Sequence, residues 1–469
     1  MLTVDRLLHR AHAETDDALT LEIPSMRKAI VLGTALLFVQ IPLLALTFIQ
    51  SDVFGGPNDD EARRVALAPD GGVYVAGTTL SADGDSDAFI RKYDANRVLQ
   101  WEHAYGLPFD PTVGFDDEFV EGLAVGPDGS AYMAGMLGTG VLFLAKFDSA
   151  GVLVWDSTYG DNGTIASGAA VGPEGHIYVS AHFGGPDSSD PAHLESRLLK
   201  FDSNGNLVWA RAWGGLGEPG LPGFDQSHGV ATSADGVYMV GDTNSFFAND
   251  AYLVKFDFDG NLVWQRDWGV DGVQAPFTGI TTAFGVTTDS LGNVYFTGST
   301  SDSGHLKNVT LVKFSGTGDL IWSKVGGPGF GTGRDVAVSP DGTAVFVSGN
   351  MLAEDADFFG GFAFVAEFTA EGKAKKANSW GSSPEFSASA ESVVVRGDGL
   401  VVTAGFVGPG PHEFGRASNS AKNASTHLVI PAGVVQTLPA LLAAQDGQIL
   451  PFDSTSLGGE DAFALWMQQ

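Results

Sequence analysis

An all-β ring of four-stranded blades is predicted by three features of this 469-residue chain. One ten-residue phrase recurs every 54 to 58 residues. A second phrase, of different composition, sits between its copies. The last copy stops one strand short, and an unmatched strand precedes the first.

The first phrase reads Lys146-Phe-Asp-Ser-Ala-Gly-Val-Leu-Val-Trp155, then Lys200-Phe-Asp-Ser-Asn-Gly-Asn-Leu-Val-Trp209, then Lys255-Phe-Asp-Phe-Asp-Gly-Asn-Leu-Val-Trp264. Looser copies run from Lys92 to Trp101 and from Lys313 to Trp322. A sixth, Glu367 to Lys376, keeps Gly372 but has no tryptophan. Trp101, Trp155, Trp209, Trp264 and Trp322 therefore read as structural residues that pack the blades. Replacing one by alanine is expected to cost roughly 3–5 kcal/mol if it is core.

The second phrase begins as Val65-Ala-Leu-Ala-Pro-Asp-Gly-Gly-Val-Tyr-Val-Ala-Gly77, and further copies start near Leu123, Ala170, Val230, Val286, Val336 and Val393. Each is an alternating strand, an Asp-Gly type turn and a second strand, which is a hairpin. The Lys-Phe-Asp phrase is another hairpin around its own glycine. Two hairpins per period supply the four strands of one β-propeller blade. Seven copies predict seven blades over residues 47–469.

Ring closure follows from the two ends. Asp461-Ala-Phe-Ala-Leu-Trp466 matches Asp87-Ala-Phe-Ile-Arg-Lys92, the third strand of a blade. Thr47 to Gly56 matches the outer strand that ends in Trp-Gly, as at Trp209 to Gly215. An N-terminal strand completing the last blade removes open edges that would otherwise pair with other chains. These motifs resemble the seven-bladed β-propeller repeat family (SBBP) of exported bacterial and archaeal proteins, over about 420 residues. The resemblance implies the fold and export. It implies no activity, because propellers host both enzymes and binders.

Ahead of the repeats, Met26-Arg27-Lys28 leads into Ala29–Ile49, 21 residues without a charge. A basic start and a long apolar run read as a signal sequence or membrane anchor over 26–49, with 1–25 as a tail or a mis-assigned leader. The arginine–lysine pair places the C-terminal bulk outside. The membrane is thus a partner through residues 29–49 if that segment is retained. At the other end, residues 407–460 interrupt the last blade. The part from Pro409 to Thr426 is polar, and the part from His427 to Leu450 is apolar enough to offer a contact surface.

The charge balance is 25 basic against 56 acidic residues, a net of −31. Such a chain repels nucleic acid and attracts cations or basic partners. No cysteine is present, which excludes disulfides and thiolate metal sites. Connections between hairpins, and those leading into inner strands, vary in length and carry carboxylates. Asp59, Asp60 and Glu61, then Asp116, Asp117 and Glu118, then Asp225 are expected around one end of the channel as a binding face. Asp83, Asp85 and Asp87 alternate as Ca²⁺ ligands do, yet lack the rest of a twelve-residue loop, so solvated turn aspartates are the competing reading. Asp257-x-Asp259-Gly260-Asn261 looks calcium-like but occupies a repeat turn, which favours a structural role. Asn162, Asn308 and Asn423 head glycosylation triplets.

No nucleophile elbow, phosphate loop or spaced histidine metal motif occurs. The expectation is an exported binding module for a protein or glycan surface ligand. The alternatives are a carbohydrate-active enzyme using two loop carboxylates and a structural component of a cell surface.

Overall fold

The computed structural model describes residues 46–55, 59–80, 86–106, 117–138, 140–160, 163–183, 194–215, 223–244, 250–269, 280–301, 307–326, 331–352, 361–381, 388–408 and 461–469. The expectations for the N-terminal segment up to residue 45, and for 409–460 of the insertion, lie outside these residues.

Seven four-stranded antiparallel sheets form the predicted ring of blades. Blade 1 runs outward through Asp60–Leu67, Val73–Leu80, Ser86–Tyr93 and Leu99–Tyr105. Blades 2 to 6 start from inner strands Glu118–Val125, Thr164–Val171, Asp225–Thr232, Thr281–Thr288 and Gly331–Val338. Blade 7 takes Ala388–Val395, Leu400–Val407 and Asp461–Gln468, and its outer strand is Thr47–Phe54. Ser51 lies opposite Leu465 and Phe54 opposite Ala462. The expected exchange of terminal strands is therefore present.

Burial follows position in the blade. In the second strand of blade 1, Val73 to Gly77 are buried on both faces, because a neighbouring blade covers each side. Such strands read as continuous apolar runs instead of alternating ones. The outer strand Leu153–Tyr159 alternates exposed with half-buried residues from Val154 onward, because it ends the sheet. Among the described residues, the core divides into seven clusters, each shared by two adjacent blades. Tyr74 and Ile90 of blade 1 pack with Met133 and Phe143 of blade 2. Val65 and Tyr93 on its other side pack with Val402 and Trp466 of blade 7.

The recurring tryptophans lie half-buried at the rim of these seams. Each indole N–H donates to a backbone carbonyl in the next blade: Trp101 to Ser149, Trp155 to Ser203, Trp209 to Phe258, Trp264 to Gly316 and Trp322 to Ala370, at 3.1–3.3 Å. The ring leans on a buried tyrosine of its own blade, as Trp209 does on Tyr178 at 5.9 Å. The phrase's lysine stands opposite the tryptophan, and Lys92 lies 5.2 Å from the Tyr74 ring centre. Lys92 Nζ also reaches Asp70 at 3.1 Å and donates to Ser149 O at 3.1 Å. The indole N–H and the ammonium thus converge on one carbonyl across the seam.

Blade 6, without the tryptophan, changes the chemistry. Buried Glu367 replaces the lysine, and Lys376 stands opposite it. Lys375 and Lys376 both pair with Glu367, and Gln469 donates to it. The two fully buried tryptophans, Trp380 and Trp466, lie outside the repeated series.

The end of the apolar N-terminal run belongs to the ring. Leu46 is buried, its N–H donates to Asn378 Oδ1 at 3.1 Å, and Asn378 Nδ2 donates back to Leu46 O at 2.9 Å. Leu46 to Ile49 are therefore propeller residues, and among the described residues no helix is long and apolar enough to cross a membrane.

These burials predict unequal costs. Trp466→Ala should lose about 3–5 kcal/mol of stability, and Trp155→Ala about 2 kcal/mol, because part of its ring is already wet. Urea unfolding of both variants measures the difference. Equal losses would remove the rim assignment.

Candidate functional site

Connections on the two faces of the ring differ in kind. The turns joining the first strand to the second and the third to the fourth all have four or five residues. On the opposite face the connections range from three residues (138–140) to 53 (408–460). The turn face is therefore nearly uniform, and the loop face is the variable one, as expected from the sequence. Loops on a rigid scaffold are where binding chemistry is usually placed.

The predicted acids divide into two sets on that face. Asp60, Glu118 and Asp225 occupy the first position of their inner strands and are at most 1% exposed. Asp225 shows their role. Its Oδ2 accepts from Gly215 N at 3.0 Å, and its Oδ1 accepts from the Thr243 hydroxyl. The carboxylate fastens the glycine that follows the preceding blade's outer strand. These three side chains are turned into the ring, away from solvent. Asp59 is exposed, Asp117 is half-buried and accepts from Ser86 N at 3.3 Å, and Glu61 is half-buried and pairs with Arg63. Asp116 lies outside the described residues.

Of the calcium-like triplet, Asp83 and Asp85 also lie outside. Asp87 is half-buried, and a methyl group added at Gly106 would meet its Oδ1 at 2.4 Å and Glu118 Oε2 at 2.5 Å. These two carboxylates thus flank one glycine. The Asp257 carboxylate accepts from Asp259 N, Asn261 N and Asn261 Nδ2 at 2.8–3.0 Å, an Asx turn, as its structural reading requires. Among the described residues no three acidic or histidine side chains form a group that could hold a metal ion. The triplet at Asn308 is corrected: Asn308 and Thr310 are buried in a strand, where no glycan fits. Asn162 and Asn423 lie outside.

A second set of polar residues escaped the sequence reading. Every inner strand carries a bulge at its fourth residue. The extra residue is left out of the ladder and re-aimed. Around the ring these residues are Arg63, Glu121, Ser167, His228, Phe284, Arg334 and Glu391. The next residue is glycine in blades 2 to 5, where the strands crowd the axis. A methyl at Gly285 would lie 2.5 Å from Asp335 Cα. Arg64 takes that place in blade 1 and bridges the channel. It donates to Glu121 O at 2.8 Å in blade 2 and reaches Ser167 O at 3.5 Å in blade 3.

Glu391 joins Arg334 at 3.5 Å to Arg63 at 3.8 Å, linking blades 6, 7 and 1. Burial alone would raise its pKa, but the two guanidinium groups hold it below the usual carboxylate value. Asp335 is pushed up by burial, against hydrogen bonds from Ser392 Oγ at 2.7 Å and Val393 N at 3.0 Å. His228 Nε2 lies 2.6 Å from Asp242 Oδ1, and its ring packs tilted at 47° with its centre 4.9 Å from that of Phe284. The legible signal was the position of these groups: arginines inside apolar strands of a chain with 25 basic residues.

His182 lies half-buried beside this cluster. Burial and the neighbouring His228 depress its pKa to about 4, against opposing effects of Ser227 and Asp242. The unfolded imidazole titrates near 6.5, so the unfolded chain binds the proton first as pH falls. His182 therefore supports stability fully above about pH 6.5, and this support is lost progressively toward about pH 4. Melting temperature should drop over that window, and His182→Asn should flatten the drop. An unchanged pH profile in that variant would exclude the assignment.

No family model and no curated protein matches the chain. Among solved structures it resembles a chain of the crystal structure of a mitotic checkpoint complex, at 9% identity and a TM-score of 0.46, covering 83% of this chain and 95% of that one. It also resembles the β-propeller domain of Cps50 (Swd1) from Myceliophteria thermophila, at 11% identity and a TM-score of 0.44, covering 76% and 96%. Neither likeness bears on function.

Proposed function

We propose that this chain is an exported propeller of the SBBP type that holds a protein or glycan ligand on its loop face. The carrying observation is the contrast between faces: turns of four or five residues on one, connections of three to 53 on the other. Uniform turns serve the ring, whereas unequal loops serve something outside it. The net charge of −31 favours a basic or cation-bridged surface as the ligand. Export rests on Arg27-Lys28 and the uncharged run that follows.

A glycan array and a panel of cationic proteins, probed with the full chain, test the binding reading. Released sugar is measured in parallel. Saturable binding without hydrolysis is expected. Shortening the connection 106–117 to four residues should weaken it at least tenfold or leave it to another loop. Turnover of a glycan would establish the enzyme alternative instead, and silence across both panels would end the reading.

Export is tested by a reporter fused after Gln469. In intact bacterial cells the fusion should be open to added protease, and Arg27→Glu with Lys28→Glu should reduce that exposure. A reporter protected in every case would place the ring inside.

A further inference from the structure

The half of the channel nearer the tight turns is a cavity of about 300 Å³, at the small end of ligand pockets. Its wall is mixed: the half-buried aliphatic residues Leu67, Val286, Val338 and Val394 line it beside Thr287 and the exposed strand backbone. Its inner end is polar, with Ser167, His228, Arg64 and Arg334 among the lining residues. Arg64 is committed to the carbonyls it bridges. Arg334 is different. Its Nε reaches Asn350 Oδ1 at 3.4 Å and Glu391 Oε1 at 3.5 Å, while Nη1 and Nη2 have no hydrogen-bond partner among the described residues. The guanidinium lies 5.2 Å from the Phe284 ring centre, which supports its plane. Asp335, the acid lining the same cavity, already accepts from Val336 N, Ser392 Oγ and Val393 N.

We propose that this half-channel binds a short aliphatic carboxylate, its tail against the valines and its head on the free edge of Arg334. A planar guanidinium with two open N–H-bearing nitrogens matches a carboxylate in fork geometry. Partial withdrawal from bulk water strengthens that pair. The carboxylate is either that of a free short-chain acid or the C-terminus of a peptide ending in leucine or valine. Because the pocket lies on the turn side, this inference is independent of any ligand on the loop face.

Calorimetric titration of the full chain tests it, with hexanoate, hexanol, and a short leucine-terminated peptide in free-acid and amidated forms. At least one carboxylate should bind saturably, and hexanol and the amide should bind at least tenfold more weakly. Hexanoate alone would identify a free acid, and the peptide alone a chain terminus. Arg334→Met, which keeps the stem, should weaken binding at least tenfold with its melting temperature within a few degrees of the parent. Val286→Phe should fill the cavity and abolish binding with Arg334 in place. If that variant does not fold, Arg334→Met decides. No carboxylate binding at millimolar concentration, equal binding of hexanol, or full affinity in folded Arg334→Met would each overturn the proposal.

Discussion

One carbonyl per seam carries much of what keeps this ring in register. A tryptophan N–H from one blade reaches the main chain of the next blade's outer turn, and in blades 1, 3, 4 and 5 the ammonium of its lysine reaches the same oxygen, at Ser149, Phe258, Gly316 and Ala370. A hydrogen bond to backbone does not depend on what side chain the next turn carries. The turn can therefore change from Ser-Ala to Ser-Asn or Phe-Asp without losing the link. Hydrophobic clusters supply the bulk of the stabilisation, but they are non-directional. The directional link adds a fixed angle between sheets whose apolar faces would slide on one another.

Blade 6 shows how far that link can be rewritten. With glutamate in the lysine position the charge at the seam is inverted, and two neighbouring lysines and the C-terminal glutamine gather on it. A buried acid with several donors is tolerated where a lone one would not be. In the last blade Trp466 stands where the lysine would, and Gln50 opposite it carries the polar link instead: its Nε2 donates to Arg97 O of blade 1 at 3.0 Å, and its Oε1 accepts from Arg97 Nε at 3.1 Å.

The architecture was legible because its signals are local and repeated. The glycine turns, the alternating strands and the spacing of the tryptophans each recur several times, so one imperfect copy misleads little. Matching Asp461–Trp466 to Asp87–Lys92 was enough to find the closing strand. Side-chain environment was less legible. Asp60 and Asp225 look like loop acids in sequence, yet each begins a strand and turns inward to hold a glycine N–H or its surroundings. The channel ring was missed for a related reason. A bulge adds one residue to one strand, which shifts the inside–outside alternation by a step that composition does not reveal. Arg334 and His228 read as interruptions of an apolar strand until the bulge shows where they point.

The strand at Thr47–Phe54 pairs with Asp461–Gln468, and 406 residues separate them along the chain. On a ribosome adding about 5–20 residues each second, the first strand waits roughly 20 to 80 seconds for its partner. During that interval a nascent chain holds six completed sheets in an open arc, with the flank of blade 1 uncovered. That flank stays uncovered until Asp461–Gln468 arrive. The closing strand thus makes synthesis of Asp461–Gln468 the event that commits the ring to its native form.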